Sequence, residues 1–114
     1  MAQPADLQGS PMKRETFEEI AQRFQLLAEP MRLLILFHLG SREMAVGDIV
    51  QRTGATQSNV SKHLAVLHRG GIVQRRRSGK SVLYSVADPT IFELCDIVCG
   101  GIEQALDDRR RGMR

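Results

Sequence analysis

The chain has 114 residues, 42% of them hydrophobic, enough for one domain with one modest core. With four Phe, one Tyr and no Trp, that core must be mainly aliphatic. A formal charge of +3 favours nucleic acid only weakly, and the lack of a secretory leader or an apolar run of spanning length points away from export and membranes, toward a soluble cytoplasmic protein.

In chain order, Met1–Pro11 (MAQPADLQGSP) is polar and contains Pro and Gly, so residues 1–14 are expected to form a mobile tail ahead of a domain over residues 15–108. Phe17, Ile20, Phe24 and Leu27 recur at helical spacing and predict an amphipathic helix. Pro30, acceptable in a first helical turn, marks the start of Met31–Leu39 (MRLLILFHL). That run is almost wholly apolar and too short to cross a bilayer, so it is expected to be a central core helix. Val46–Thr53 follows as a short helix with Val46, Ile49 and Val50 on one side, and Gly54-Ala55 supplies a tight turn.

The next helix is the most informative. Thr56 is a good N-cap, since its hydroxyl can accept a free backbone N–H of the first turn. Val60, Leu64 and Leu67 at i, i+4 and i+7 form a narrow stripe that faces a core. At about 100° per residue, Ser58, Lys62 and Ala65 fall opposite, with Asn59 and Ser61 on the flanks. A small, polar, singly basic face suits the major groove, where amides pair with adenine and Ser or Lys reach base edges or phosphates. An ordinary solvated face would look similar, so the helix alone does not decide.

The following segment does. After Gly70-Gly71, Ile72–Arg77 and Ser81–Val86 are β-prone runs separated by Ser78-Gly79-Lys80, the pattern of a hairpin. Val82, Tyr84 and Val86 alternate, which predicts one buried face. Arg75, Arg76, Arg77 and Lys80 crowd the tip, where burial would be costly and mutual repulsion favours a polyanion partner.

Pro89–Asp108 carries Ile91, Leu94, Cys95, Val98, Ile102 and Leu106 as one helical stripe, with Cys95 at its middle and Cys99 toward its edge. Residues 109–114 are expected to be a basic tail that aids solubility. The chain's two cysteines therefore sit one helical turn apart. They read either as small apolar fillers or as a pair of thiols able to grip one soft ion.

Taken in order, LAEPMRLLILFHL, VGDIVQRTGATQSNVSKHLAVLHRGGIV and RRRSGKSVLYSV closely resemble the ArsR/SmtB family of bacterial winged-helix repressors, over roughly Phe17–Leu106. The resemblance implies a mainly α fold with a small β-hairpin: a winged helix-turn-helix, dimeric through its terminal helices. It also implies a homodimer that binds a palindromic operator on double-stranded DNA and lets go when an inducer binds. Carried over residue by residue, Gln57, Ser58, Asn59, Ser61, Lys62 and His63 fall where the recognition helix meets DNA, and Arg77 and Lys80 fall on the wing. The stripe of the final helix becomes a dimer seam, at which Cys95 and Cys99 approach their two-fold mates.

Two departures from well-known members bear on the inducer. Glu43–Asp48 (EMAVGD) occupies the place of the Cys-Val-Cys element of arsenic sensors and has no thiol. The final helix lacks the Asp-x-His and His-x-x-Glu ligands of zinc sensors. None of His38, His63 and His68 reads as a ligand, so two thiols leave a tetrahedral site incomplete. The expected inducer at Cys95 and Cys99 is a thiophilic metal or metalloid, As(III), Cd(II), Pb(II) or Zn(II), with no obligatory cofactor. Redox or reactive-sulfur sensing is the rival mechanism. A disulfide within one helix would require distortion, since i and i+4 Cβ atoms lie about 6 Å apart and a disulfide wants about 3.8 Å.

An enzyme is not expected: there is no phosphate-cradling glycine loop, no metal-hydrolase spacing and no Cys beside a plausible base. A protein-interaction module without inducer is the alternative class. The triple arginine argues against it, because docking surfaces more often expose apolar anchors.

Overall fold

The computed structural model describes residues 13–112, so residues 1–12 of the expected 1–14 tail lie outside the described residues, while Lys13 caps the first helix and Arg14 begins it. Within them the chain runs α1 (Arg14–Leu27), α2 (Pro30–Leu39), β1 (Met44–Ala45), α3 (Val46–Thr53), α4 (Gln57–Arg69), β2 (Val73–Ser78), β3 (Ser81–Val86) and α5 (Ile91–Gly112). This is a winged helix-turn-helix, with α3 and α4 as the helix pair and the β2–β3 hairpin as the wing.

Local chemistry sets most boundaries. Glu29 caps α2, its Oε2 accepting the Arg32 N–H at 3.0 Å, and Pro30 occupies the first turn, where its missing N–H costs nothing. Gly54 ends α3 at φ 74°, in the left-handed region that disfavours a Cβ, and its N–H reaches Val50 O at 2.9 Å. Thr56 caps α4 as expected, accepting the Asn59 N–H at 3.2 Å. At the start of α5 the Asp88 carboxylate accepts from the Thr90 hydroxyl at 2.6 Å and the Thr90 N–H at 3.0 Å. Those bonds hold the Asp88 carboxyl below its usual range.

The core lies where α2, α3 and α4 meet the sheet. Ile35, Leu39, Ile49, Val60, Leu64 and Leu67 have no exposed surface, and Leu36, Met44, Ile72 and Val73 are nearly as deep. Each such aliphatic side chain contributes about 1.5–3 kcal/mol through burial.

Several expectations need correction. The apolar α2 is buried on one face only: Leu33 and Leu34 are substantially open and Phe37 is 74% exposed. The stripe on α1 is likewise uncovered at Phe17, Ile20 and Phe24, with only Leu27 buried. Helical periodicity states that a face is apolar, not which surface covers it.

A third strand, β1, was not anticipated. It is two residues long, pairing Met44 with Tyr84 and Ala45 with Leu83, and is too short to carry a periodic signal. It makes β3 the centre of a β1-β3-β2 antiparallel sheet. Val82–Val86 are therefore all half-buried instead of alternating. Finally, α5 does not stop at Asp108. Arg109–Arg111 continue the helix through Gly112, where cations suit the C-terminal end of the helix dipole, and Arg110 pairs with Asp107 at 3.2 Å.

Candidate nucleic-acid interface

The turn between α3 and α4 is held by side chains as well as by Gly54. Thr53 Oγ1 donates to Ile49 O at 2.8 Å and accepts the Ala55 N–H at 3.3 Å. With Val60, Leu64 and Leu67 locked at zero exposure, α4 cannot rotate without opening the core, so its opposite face is fixed outward. On that face Gln57, Ser58, Ser61 and Lys62 are exposed and Asn59 is half-buried. Ala65, also exposed, keeps the helix slim enough for close approach to a groove.

His63 departs from the expectation. Only 7% of its surface is exposed, and it is the one buried polar residue among the described residues. Its ring points inward, Nδ1 lying 3.4 Å from Arg32 Nη1 and Nε2 3.6 Å from Glu29 Oε2. A ring so enclosed is not available to a base edge. The reason is angular: one residue before Leu64 and three after Val60, His63 shares the inner side of the helix.

The wing carries Arg75, Arg77, Ser78 and Lys80 in the open, with Gly79 at φ 61° making the turn. Arg76 is not free. Its Nε and Nη2 donate to the Glu43 carboxylate at 2.6 and 2.7 Å. Cross-strand register puts Val73, Arg75 and Arg77 on the face of Val86, Tyr84 and Val82, and leaves Arg76 beside Leu83 on the other face. The crowding of cations is thus relieved by alternation and by one acid from across the sheet.

Between Asp48 and Asp88 the sequence holds no Asp or Glu, while Lys62, Arg69, Arg75, Arg77 and Lys80 all lie exposed there. This acid-free span covers α4 and the whole wing. Acids reach it only from outside the span, Glu43 at Arg76 and Glu29 behind α4 at His63, which leaves the exposed cations for a phosphate-bearing partner.

The thiols lie on α5, far along the chain from this surface. Cys95 is half-buried and Cys99 exposed, both free. Cys99 Sγ lies 3.7 Å from Glu103 Oε1. The Glu103 charge, with some burial and smaller effects from Asp96 and Cys95, pushes the Cys99 thiol above its usual pKa. Among the described residues no three His, Cys, Asp or Glu side chains converge on a metal-sized site, so one protomer supplies two sulfurs and no closed cage. The sequence reading missed Glu29 and Arg32 behind α4, Glu43 under the wing, and Asp96 and Glu103 around the thiol. Only Glu29, directly before Pro30 in the N-cap position, carried a local signal.

A recognition helix with no acid, set beside a basic wing, is the surface of a DNA-binding regulator, and the comparisons with known proteins agree. Residues 29–75 match the family described as bacterial regulatory protein, arsR family. The uncharacterized HTH-type transcriptional regulator Rv0081 of Mycobacterium tuberculosis is 39% identical over 90 residues, 78% of this chain and 79% of that one. Its crystal structure superposes with a TM-score of 0.73 at 36% identity, covering 85% of this chain and 98% of that one. The HTH-type transcriptional repressor SmtB of M. tuberculosis is 32% identical over 99 residues, 87% and 71% of the two chains. A homodimeric winged helix-turn-helix DNA-binding domain, Mb0332 of Mycobacterium bovis, matches with a TM-score of 0.73 at 28% identity, over 88% and 94%.

The chain belongs to the ArsR family. It is a DNA-binding transcriptional regulator and not an enzyme. Among the described residues no helix is long and apolar enough to cross a membrane.

Proposed function

We propose that the protein works as a homodimer on a palindromic operator, and that Cys95 and Cys99 receive the inducer that releases it. The observation that carries the first part is the uncovered apolar surface. On α1, Phe17, Ile20 and Phe24 are 42–53% exposed, and on α5, Val98 and Ile102 are each 52% exposed. A protomer that left both terminal helices bare would aggregate, so a second copy is the natural cover. Residues Gly100 and Gly101, where an added Cβ meets nothing within 4 Å in the protomer, leave room there for close approach of another helix. The proposed contacts to operator DNA are Gln57, Ser58, Asn59, Ser61 and Lys62 from α4, with Arg77 and Lys80 from the wing.

For the inducer, charge favours a thiophilic cation. Asp96 and Glu103 lie around Cys99 and raise the energy of its thiolate, which disfavours attack on an oxidant or persulfide. The same carboxylates draw a cation, and a bound cation offsets the cost of removing the thiol proton. Cd(II), Pb(II) and Zn(II) gain from this; neutral arsenous acid, the solution form of As(III), does not. Two sulfurs fall short of a closed site, so thiols or a carboxylate of the second protomer complete it. Binding on the seam alters the spacing of the two recognition helices, which must match major grooves about 34 Å apart.

The test is sedimentation of the free protein, followed by fluorescence anisotropy on a duplex enriched from a randomised library. The complex is titrated with Cd(II), Pb(II), Zn(II), As(III), and a persulfide donor in turn. Release by a metal and its loss in Cys95→Ser and Cys99→Ser are expected. Release only by the persulfide donor would make the protein a thiol switch, and release by nothing would return both cysteines to packing roles.

A further inference from the structure

The buried ring of His63 belongs to a polar cluster that joins three helices. His63 Nδ1 lies 3.4 Å from Arg32 Nη1, and its Nε2 faces Glu29 Oε2 3.6 Å away. Glu29 Oε2 also holds the first turn of α2 through the Arg32 N–H. Arg32 in turn donates Nε to Leu26 O at 2.7 Å and Nη2 to Gln25 O at 3.3 Å, the carbonyls that end α1. The end of α1, the start of α2 and the middle of α4 are therefore tied through one guanidinium, one carboxylate and one imidazole.

A second contact lies further along the same helices. Leu26 packs against Gly70 so closely that a Cβ there would collide with its side chain. Thus α1 touches the recognition helix twice, at His63 through Arg32 and at its C-terminal cap through Leu26. The rest of its inner face, Val60, Leu64 and Leu67, is held by apolar packing, which resists rotation but tolerates sliding better than directional polar contacts do.

We propose that His63, with Glu29 and Arg32, is a positioning element for operator recognition: it sets where α4 sits along its own axis and couples that position to α1. This rests on DNA binding alone and is independent of the cysteines. His63 is buried and turned toward Glu29 and Arg32, away from the outer face of α4, so the cluster acts through the pose of the helix. Its effect is on discrimination between sequences, which depends on where Gln57, Ser58 and Asn59 fall, and not on phosphate attraction, which depends on Lys62, Arg77 and Lys80.

Operator-enriched and random duplexes are compared by anisotropy across a salt series, with thermal melts of each variant. His63→Leu fills the space but makes no polar contact. It is expected to retain the parent melting temperature and salt slope yet lose operator preference by roughly tenfold, the scale of one mismatched base pair. His63→Gln, which can both accept from Arg32 and donate to Glu29, is expected to restore most of it. Glu29→Ala is expected to reproduce the loss, together with the fall in melting temperature that a missing α2 cap brings, and combining it with His63→Leu to add little to the loss of preference.

Unchanged operator preference in His63→Leu would overturn the proposal. So would a parallel fall in operator binding, random binding and melting temperature, which would make the cluster a support for the fold only. A loss confined to His63 variants, with Glu29→Ala unaffected, would also overturn it by making the ring itself a DNA contact.

Discussion

Arg76 and Glu43 form a two-pronged ion pair, 2.6 and 2.7 Å, that spans the central strand of the sheet and ties the wing to the segment entering β1. The pair divides the wing's cations into one that holds the hairpin and others left for a partner. Arg77→Ala and Lys80→Ala are each expected to lower the slope of log affinity against log salt by about 1, as one lost phosphate contact does. Arg76→Ala is expected to leave that slope unchanged while loosening the wing. Anisotropy across a salt series decides between them, and an equal drop for all three would mean that Arg76 leaves Glu43 to bind DNA.

The same pair gives a pH dependence of known sign. Arg76 holds the Glu43 carboxyl below the usual glutamate range, first by hydrogen bonding. A depressed native pKa adds stability above the unfolded value, and that stability is lost as pH falls through the native one. Both groups are exposed, so salt screens the effect. Acid melts of Glu43→Gln should show a shallower decline than the parent through the carboxylate range; identical curves would mean that the pair contributes nothing in solution.

Gly54 is the backbone hinge between α3 and α4, at φ 74° with open space around it. Gly54→Ala is therefore opposed by backbone conformation and not by a clash, and is expected to cost about 1–2 kcal/mol. A thermal melt measures this. A larger loss of operator affinity than of stability would show that the turn also sets the pose of α4.

Glu103 controls the Cys99 thiol. In a Cys95→Ser background, Glu103→Gln is expected to raise the rate of Cys99 alkylation by iodoacetamide at fixed neutral pH, because removing the carboxylate lowers the thiol pKa and enlarges the thiolate fraction. An unchanged rate would mean that Cys99 is sheltered in the assembled protein or that Glu103 points elsewhere.

Much of the architecture was legible because it rests on local rules. Val60, Leu64 and Leu67 had to face inward whatever lay beneath them, and Thr56, Gly54 and Pro30 mark boundaries by their own stereochemistry. The polar, singly basic outer face of α4 and the cations of the wing followed from the same periodicities. What the sequence by itself determined, then, was the order of elements, the inner face of α4 and the winged helix-turn-helix resemblance.

The tertiary structure decided what depends on partners distant in the chain. Periodicity could not say that His63 turns toward Glu29 and Arg32, more than thirty positions upstream, or that Glu43 takes Arg76 out of the free set. Nor could it reveal that β1 makes β3 a central strand, or that α1 and α5 leave much of their apolar stripes bare within one protomer. Spacing along a chain fixes which side chains share a face. Only the fold, by bringing faces together, fixes which charges meet and which surfaces remain to bind.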